Sequence, residues 1–195
     1  MKTHLHQLMA IAFVAVFAAG CASAPSRFYT LNSTATADGT PAANYAVVVG
    51  PVSIPALVDR PQFTVQVAPN RVQIDEFNRW AEPLNDNIAN VIAGNLAALL
   101  GTPRVTTVSP ANVDPAYRVA IDIQKFESVP GKSVSVDAAW AIRKPAGGAA
   151  TGTTRASEPV TGAGFDALVA AHSRALAKVS SDIAAAIRAA ADEKP

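Results

Sequence analysis

The chain has 195 residues, with 16 Lys and Arg against 15 Asp and Glu for a formal charge of +1; without clustered basic residues, it lacks the electrostatic footprint of a nucleic-acid binder and the polybasic patch that would hold lipid headgroups by charge. Half of its residues are apolar, enough for one domain with a sizeable core. It has one cysteine, Cys21, which excludes an internal disulfide, and no later stretch approaches the ~20 apolar residues that a transmembrane helix needs.

Met1 to Gln7 carries Lys2, His4 and His6, and Leu8 to Ala19 is an unbroken run of 12 apolar residues. This pattern is that of a secretory signal, with an apolar run too short to span a bilayer comfortably. Small residues then lead directly into the cysteine in Phe17-Ala18-Ala19-Gly20-Cys21-Ala22-Ser23. The stretch resembles the lipobox of bacterial lipoproteins, in which the cysteine is acylated and becomes residue one; Ala18 stands where leucine is commonest. An ordinary secreted protein with a stray thiol, or a buried N-terminal helix, are the alternatives. Lipidation of Cys21 would consume the lone thiol and attach the chain to a membrane. Ala22 replaces the Asp that enterobacterial sorting reads as an inner-membrane retention signal, which favours the outer membrane and its periplasmic face. Removing residues 1–20 leaves 175 residues in which the charges balance at 15 against 15.

Residues 22–44 are rich in Ser, Thr, Ala, Pro, Gly and Asp without periodicity and are expected to form a tether. About 20 such residues span roughly 25 Å as a random coil. Within them Arg27-Phe28-Tyr29-Thr30-Leu31 is a strand-like island, either an edge strand or a docking segment. The organisation expected is a signal over 1–20, a lipidated N-terminus and tether over 21–44, and one folded domain over 45–195. Tyr45 to Ile54 predicts a strand bent or bulged at Gly50-Pro51. Gln62 to Val67 alternates, and Val72 and Ile74 alternate again after Ala68-Pro69-Asn70-Arg71, a hairpin signal. Pro83 to Leu100 places Ile88, Val91, Ile92, Leu96, Leu99 and Leu100 at helical spacing, with Asn85, Asp86, Asn87 and Asn90 off that stripe, and Gly101 and Pro103 stop it. Strands follow over Arg104–Val108, Tyr117–Phe126, Val134–Ile142 and Thr151–Val160, and an alanine-rich helix over Phe165–Ala190 closes the chain. The order predicts an α+β fold, a mainly antiparallel sheet with two helices packed on one face.

Few residues could carry catalysis. Past the signal there is one histidine, His172, near the apolar stripe of the last helix, a position that suits a packed residue better than a ligand. With no second His and no free Cys, a His/Cys zinc site is excluded, and a Ser-His-Asp triad would have to use His172. Gly50, Gly131, Gly147-Gly148, Gly162 and Gly164 come without the P-loop lysine or the dinucleotide fingerprint, so no cofactor is expected. Asp59, Asp75, Glu76 and Glu82 cluster between Val58 and Pro83; a glycosidase-type carboxylate pair is one reading and solvated hairpin ends the plainer one.

Asn78-Arg79-Trp80-Ala81-Glu82-Pro83-Leu84 stands apart. Its structural reading has Trp80 covering the core edge, Glu82 near the helix dipole and Arg79 paired with a carboxylate such as Asp59. Its functional reading is a docking surface, since Trp and Arg are enriched at interface hot spots.

Arg27 to Leu31 soon after Cys21, then VGPVSIPALVDRPQ from Val49 to Gln62, then NRWAEPL from Asn78 to Leu84 together resemble the PqiC-type lipoproteins, the auxiliary lipoprotein component of ABC-type or MCE transport systems. The plain Ala56-Leu57 connection departs from that pattern. The resemblance implies a non-enzymatic subunit anchored in the outer membrane. Its implied partners are a periplasm-spanning MCE-domain tunnel protein and inner-membrane transport components, in the service of lipid transport and envelope integrity. It makes Arg27, Tyr29, Arg79, Trp80 and Glu82 candidate docking residues, and a ring or other homo-oligomer the expected form if the protein encircles a tunnel. A pilotin-like assembly lipoprotein of another envelope complex is the alternative.

Overall fold

The computed structural model describes residues 24–37, 39–108, 117–145 and 147–192. The signal, the lipobox and Cys21 lie outside the described residues.

The larger sheet contains β2 (Val47–Ser53), β5 (Val105–Thr106), β6 (Tyr117–Val129), β7 (Ser133–Arg143) and β8 (Ala149–Pro159) in the order β5-β2-β6-β7-β8. A tight turn joins β6 to β7, and five residues separate β7 from β8; both pairs are antiparallel. The chain reaches β5 and β6 from β2 only after a hairpin and a helix, and such a crossover returns it parallel to β2. Along β6, Tyr117, Val119, Ile121 and Ile123 are buried while Arg118, Asp122 and Gln124 are exposed; alternation therefore points one face of the sheet at the core. A register shift after Ile123 keeps Phe126 and Ser128 on that face. In β2 the ladder skips from Val49 to Val52, because Pro51 has no N–H to contribute.

The smaller sheet has the order β1-β4-β3, from β1 (Arg27–Tyr29), β3 (Gln62–Ala68) and β4 (Arg71–Trp80). β3 and β4 form the expected hairpin, and β4 continues as strand to Trp80, well past Ile74. The strand-like island of the N-terminal segment is β1, an edge strand parallel to β4. The α+β class is as expected, with the strands divided between two mixed sheets.

Both helices, α1 (Leu84–Leu100) and α2 (Gly164–Asp192), pack on the inner face of the larger sheet and on each other. Ile88, Ile92, Leu96 and Leu100 of α1 join Leu168, Leu176, Ile183 and Ile187 of α2 in the buried core, each such burial being worth about 1.5–3 kcal/mol. Gly101 ends α1 in the left-handed region at φ 63°, and the Gly101 and Thr102 N–H groups close on the Ala98 and Ala97 carbonyls at 3.3 and 3.1 Å.

Two expectations need correction. The tether reading of residues 22–44 fails over 27–35, because polar side chains of both helices give this segment's backbone fixed partners. Asn87 Oδ1 accepts the Leu31 N–H at 2.7 Å, and Asn95 Oδ1 accepts those of Thr34 and Ala35 at 2.9 and 3.0 Å. The Asn32 N–H donates to Ser173 Oγ at 3.2 Å, and Ser33 Oγ donates to the Val91 carbonyl at 3.1 Å. The folded unit therefore begins near Arg27 and not at Tyr45. Asn87, expected off the apolar stripe, is buried along with Asn95: both amides are turned inward to bind this strap, and Asn95 Nδ2 also donates to Ser180 Oγ at 3.2 Å.

Candidate docking surface

The Asn78–Leu84 stretch divides between core and surface. Trp80, the last residue of β4, is only 6% exposed. Its ring stacks on Phe63 with centroids 4.5 Å apart and meets Phe126 edge-on at 6.2 Å. Tyr29 sits beside it in the β1–β4 register, buried against Phe63 and Phe165, with its hydroxyl donating to Asn78 Oδ1 at 3.0 Å. These rings join the small sheet to β6 and to the start of α2. Tyr29 and Trp80 are therefore corrected from docking residues to core residues: alternation along a strand that covers a core turns every second side chain inward.

Arg27, Arg79 and Glu82 do reach the surface around the same strand pair. Arg79 pairs with Glu76 at 3.6 Å, and its Nε donates to the Glu76 carbonyl at 2.9 Å. The carboxylate partner found for Arg79 is Glu76, where the sequence offered Asp59 as an example. Glu82 precedes α1 and accepts from Asn87 Nδ2 at 2.7 Å and from Thr30 Oγ1 at 3.4 Å. The structure brings Arg79 and Glu82 to the end of β4 with Arg27 on the adjacent strand.

Asp75, Glu76 and Glu82 each accept from different neighbours: Asn78 and the Phe77 N–H, Gln62 and Arg79, and Asn87 and Thr30. Partial burial pushes the Asp75 carboxyl up, but the Asn78 backbone N–H at 2.8 Å, its side-chain amide at 2.9 Å and the Phe77 N–H at 2.9 Å outweigh it and hold the group below the ordinary carboxylate range. Such a group is a poor general acid. Among the described residues no three His, Cys, Asp or Glu side chains converge on a point where a metal could sit. None of the helices there is long and apolar enough to cross a membrane.

Among the described residues His172 is the histidine that meets a serine hydroxyl. Its Nε2 shares a 2.8 Å hydrogen bond with Ser128 Oγ, and Phe126 stacks on its ring at 3.9 Å. Both members are sealed: His172 has no exposed surface, Ser128 has 3%, and His172 Nδ1 has no partner. Burial alone pushes the imidazole down to about 3, so it is neutral at physiological pH. The pair lacks the carboxylate that orients a triad histidine and lacks contact with solvent. It fills the core, as expected from the position of His172 on α2.

An open groove of about 160 Å³ lies between β3 and the far half of β6, lined by Leu57, Val58, Thr64, Val65, Val72 and Phe126. At its β6 margin Lys125 and Glu127 pair at 2.8 Å. Beside it Val72, Ile74, Phe77 and Phe28 stand exposed on the small sheet, a cluster that the sequence reading did not assemble. Val72 and Ile74 were legible as one alternating set; what they share with Phe28 depends on β1 joining β4.

A family model described as the ABC-type transport auxiliary lipoprotein component matches residues 29–184. The chain belongs to this family. Its fold is that of a crystal structure titled as an uncharacterized protein, at 19% identity and TM-score 0.71, covering 84% of this chain and 99% of the other. Similar too is protein XCC0632 from Xanthomonas campestris, at 20% identity and TM-score 0.65, covering 80% and 92% of the two chains. A comparison with curated proteins finds no match. The family segment starts at Tyr29 and takes in the strap, in agreement with a folded unit that begins before Tyr45.

Proposed function

We propose that this auxiliary transport lipoprotein is a non-enzymatic subunit held by acyl chains on Cys21 at the periplasmic face of the outer membrane. There it docks the end of a periplasm-spanning MCE-domain tunnel whose transport components lie in the inner membrane, supporting lipid movement between membranes and envelope integrity. The observation that carries this reading is the family match over residues 29–184. The buried state of the Ser128–His172 pair is compatible with a role in binding. The partner contact is assigned to the turn after β4, where Glu82 meets the start of α1, with Arg27 at its margin.

Photo-crosslinking from position 82 in intact cells tests partner and surface together. The expected adduct is with an MCE-domain protein. Adducts confined to a secretion or pilus component would replace this reading with the pilotin-like one.

A further inference from the structure

The outer face of the small sheet carries four exposed apolar side chains, set among Arg79, Gln62, Thr64 and Gln66. Phe28 is 64% exposed, and Val72, Phe77 and Ile74 are 45, 43 and 39% exposed. Register explains why they gather there. Phe28 pairs with Arg79, Ile74 with Thr64 and Val72 with Gln66, and this is the opposite phase to Tyr29, Phe63 and Trp80, which fill the core. Phe77 lies two residues before Arg79 in the same strand, where Asp75 takes the Phe77 and Asn78 N–H groups. Apolar side chains grouped this way, with Arg79 beside Phe28 in the same register pair, mark a contact surface.

The path of the chain identifies what covers it. Arg27 pairs with Asn78, so the chain enters β1 at the end of β4 that bears Phe77. Cys21 is six residues earlier, and six residues reach at most about 20 Å when fully extended. A lipid on Cys21 therefore keeps this end of the sheet within about 20 Å of the bilayer. We propose that Phe28 and Phe77 rest on the bilayer surface that holds the acyl chains, with Arg79 at headgroup level. The arginine stem covers apolar surface while its guanidinium group stays among phosphates and water. The contact is apolar and not a polybasic one, in keeping with the balanced charge. It fixes the tilt of the domain and leaves Glu82, in the turn between β4 and α1, for the partner. This inference rests on lipidation of Cys21.

The test uses the acylated mature protein in phosphatidylethanolamine–phosphatidylglycerol vesicles. A nitroxide is attached through Phe77→Cys, or through Ser157→Cys on the outer face of the larger sheet as a control. With Cys21 acylated, each introduced cysteine is the only free thiol. Collision of the label with oxygen, which partitions into lipid, is compared with collision with a nickel chelate, which stays in water. The expected result is a several-fold rise in the oxygen-to-nickel ratio at position 77 on moving from detergent to vesicles, no rise at 157, and loss of the rise when Phe28→Asp is added. Co-floating protein whose position 77 remains as open to nickel as position 157 overturns the inference while leaving the anchor intact. So does a label shielded from both reagents, which indicates a protein neighbour. Failure to co-float with vesicles overturns the Cys21 anchor itself, and the inference with it.

Discussion

Gly94→Ala reverses the usual sign of a glycine replacement in a helix. Gly94 lies in the middle of α1, where alanine normally stabilises by about 1 kcal/mol. Here a methyl group would collide with Ser33 Oγ and stand 3.2 Å from Ser33 Cβ. Moving Ser33 aside breaks its bond to the Val91 carbonyl and pulls on the two backbone bonds that Thr34 and Ala35 make to Asn95. At about 1 kcal/mol for each hydrogen bond, set against about 1 kcal/mol of helix propensity, the variant should lose about 1–2 kcal/mol. Urea unfolding reads this as a midpoint lowered by about 0.5–1 M for an m-value near 2 kcal/mol/M. The double mutant Ser33→Gly/Gly94→Ala relieves the collision, so a cycle through both positions should show a coupling of about 1 kcal/mol. A Gly94→Ala midpoint above the parent's, or additive effects in the cycle, would refute the account of the strap seated on α1.

Trp80→Ala should cost about 3–5 kcal/mol by emptying a packed ring site, whereas Arg79→Ala should stay within about 0.5 kcal/mol; thermal unfolding of the two variants separates core from surface. His172 gives the domain an acid sensitivity. Its folded value of about 3 lies below the ordinary 6.5, so the unfolded chain binds the proton first and stability falls as pH drops from 6.5 toward 3. Between pH 6.5 and 4.5 this loss amounts to about 2–3 kcal/mol. It should be absent in His172→Gln, whose urea midpoint, lower at neutral pH, should vary less with pH over that range. Mass spectrometry of the mature protein should find Cys21 acylated at the N-terminus, and Cys21→Ser should release the protein from membranes; an unmodified thiol would remove the anchor.

Much of the fold was legible because its alternations and helical stripes are long. Tyr117 to Ile123 and the stripe from Ile88 to Leu100 each repeat a period often enough to fix which side faces the core. The extension of β4 was hidden, because Asp75-Glu76-Phe77-Asn78 breaks the alternation with a bulge held by the Asp75 carboxylate. The strap was hidden for another reason. Its sequence is that of a tether, and its order comes from Asn87, Asn95 and Ser173, which lie 56, 60 or 61, and 141 residues away from the backbone groups they bind. At the candidate surface the sequence marked Asn78–Leu84 as a whole and did not separate its inward from its outward side chains. Trp80 and Tyr29 bear chemistry suited to an interface, and only the β1–β4 register shows that both rings point inward.

The strap also decides how the domain would carry mechanical load. Tension entering at Arg27 passes first along β1, whose hydrogen bonds to the parallel strand β4 lie across the direction of pull. It then reaches backbone groups pinned in succession to Asn87, Ser173 and Asn95. Bonds arranged in this way are loaded together in shear and do not open one at a time. The pull spreads over a sheet and two helices before any single element gives way, so the domain would hold its shape while joined at one end to a fluctuating membrane and at the other to a rigid assembly.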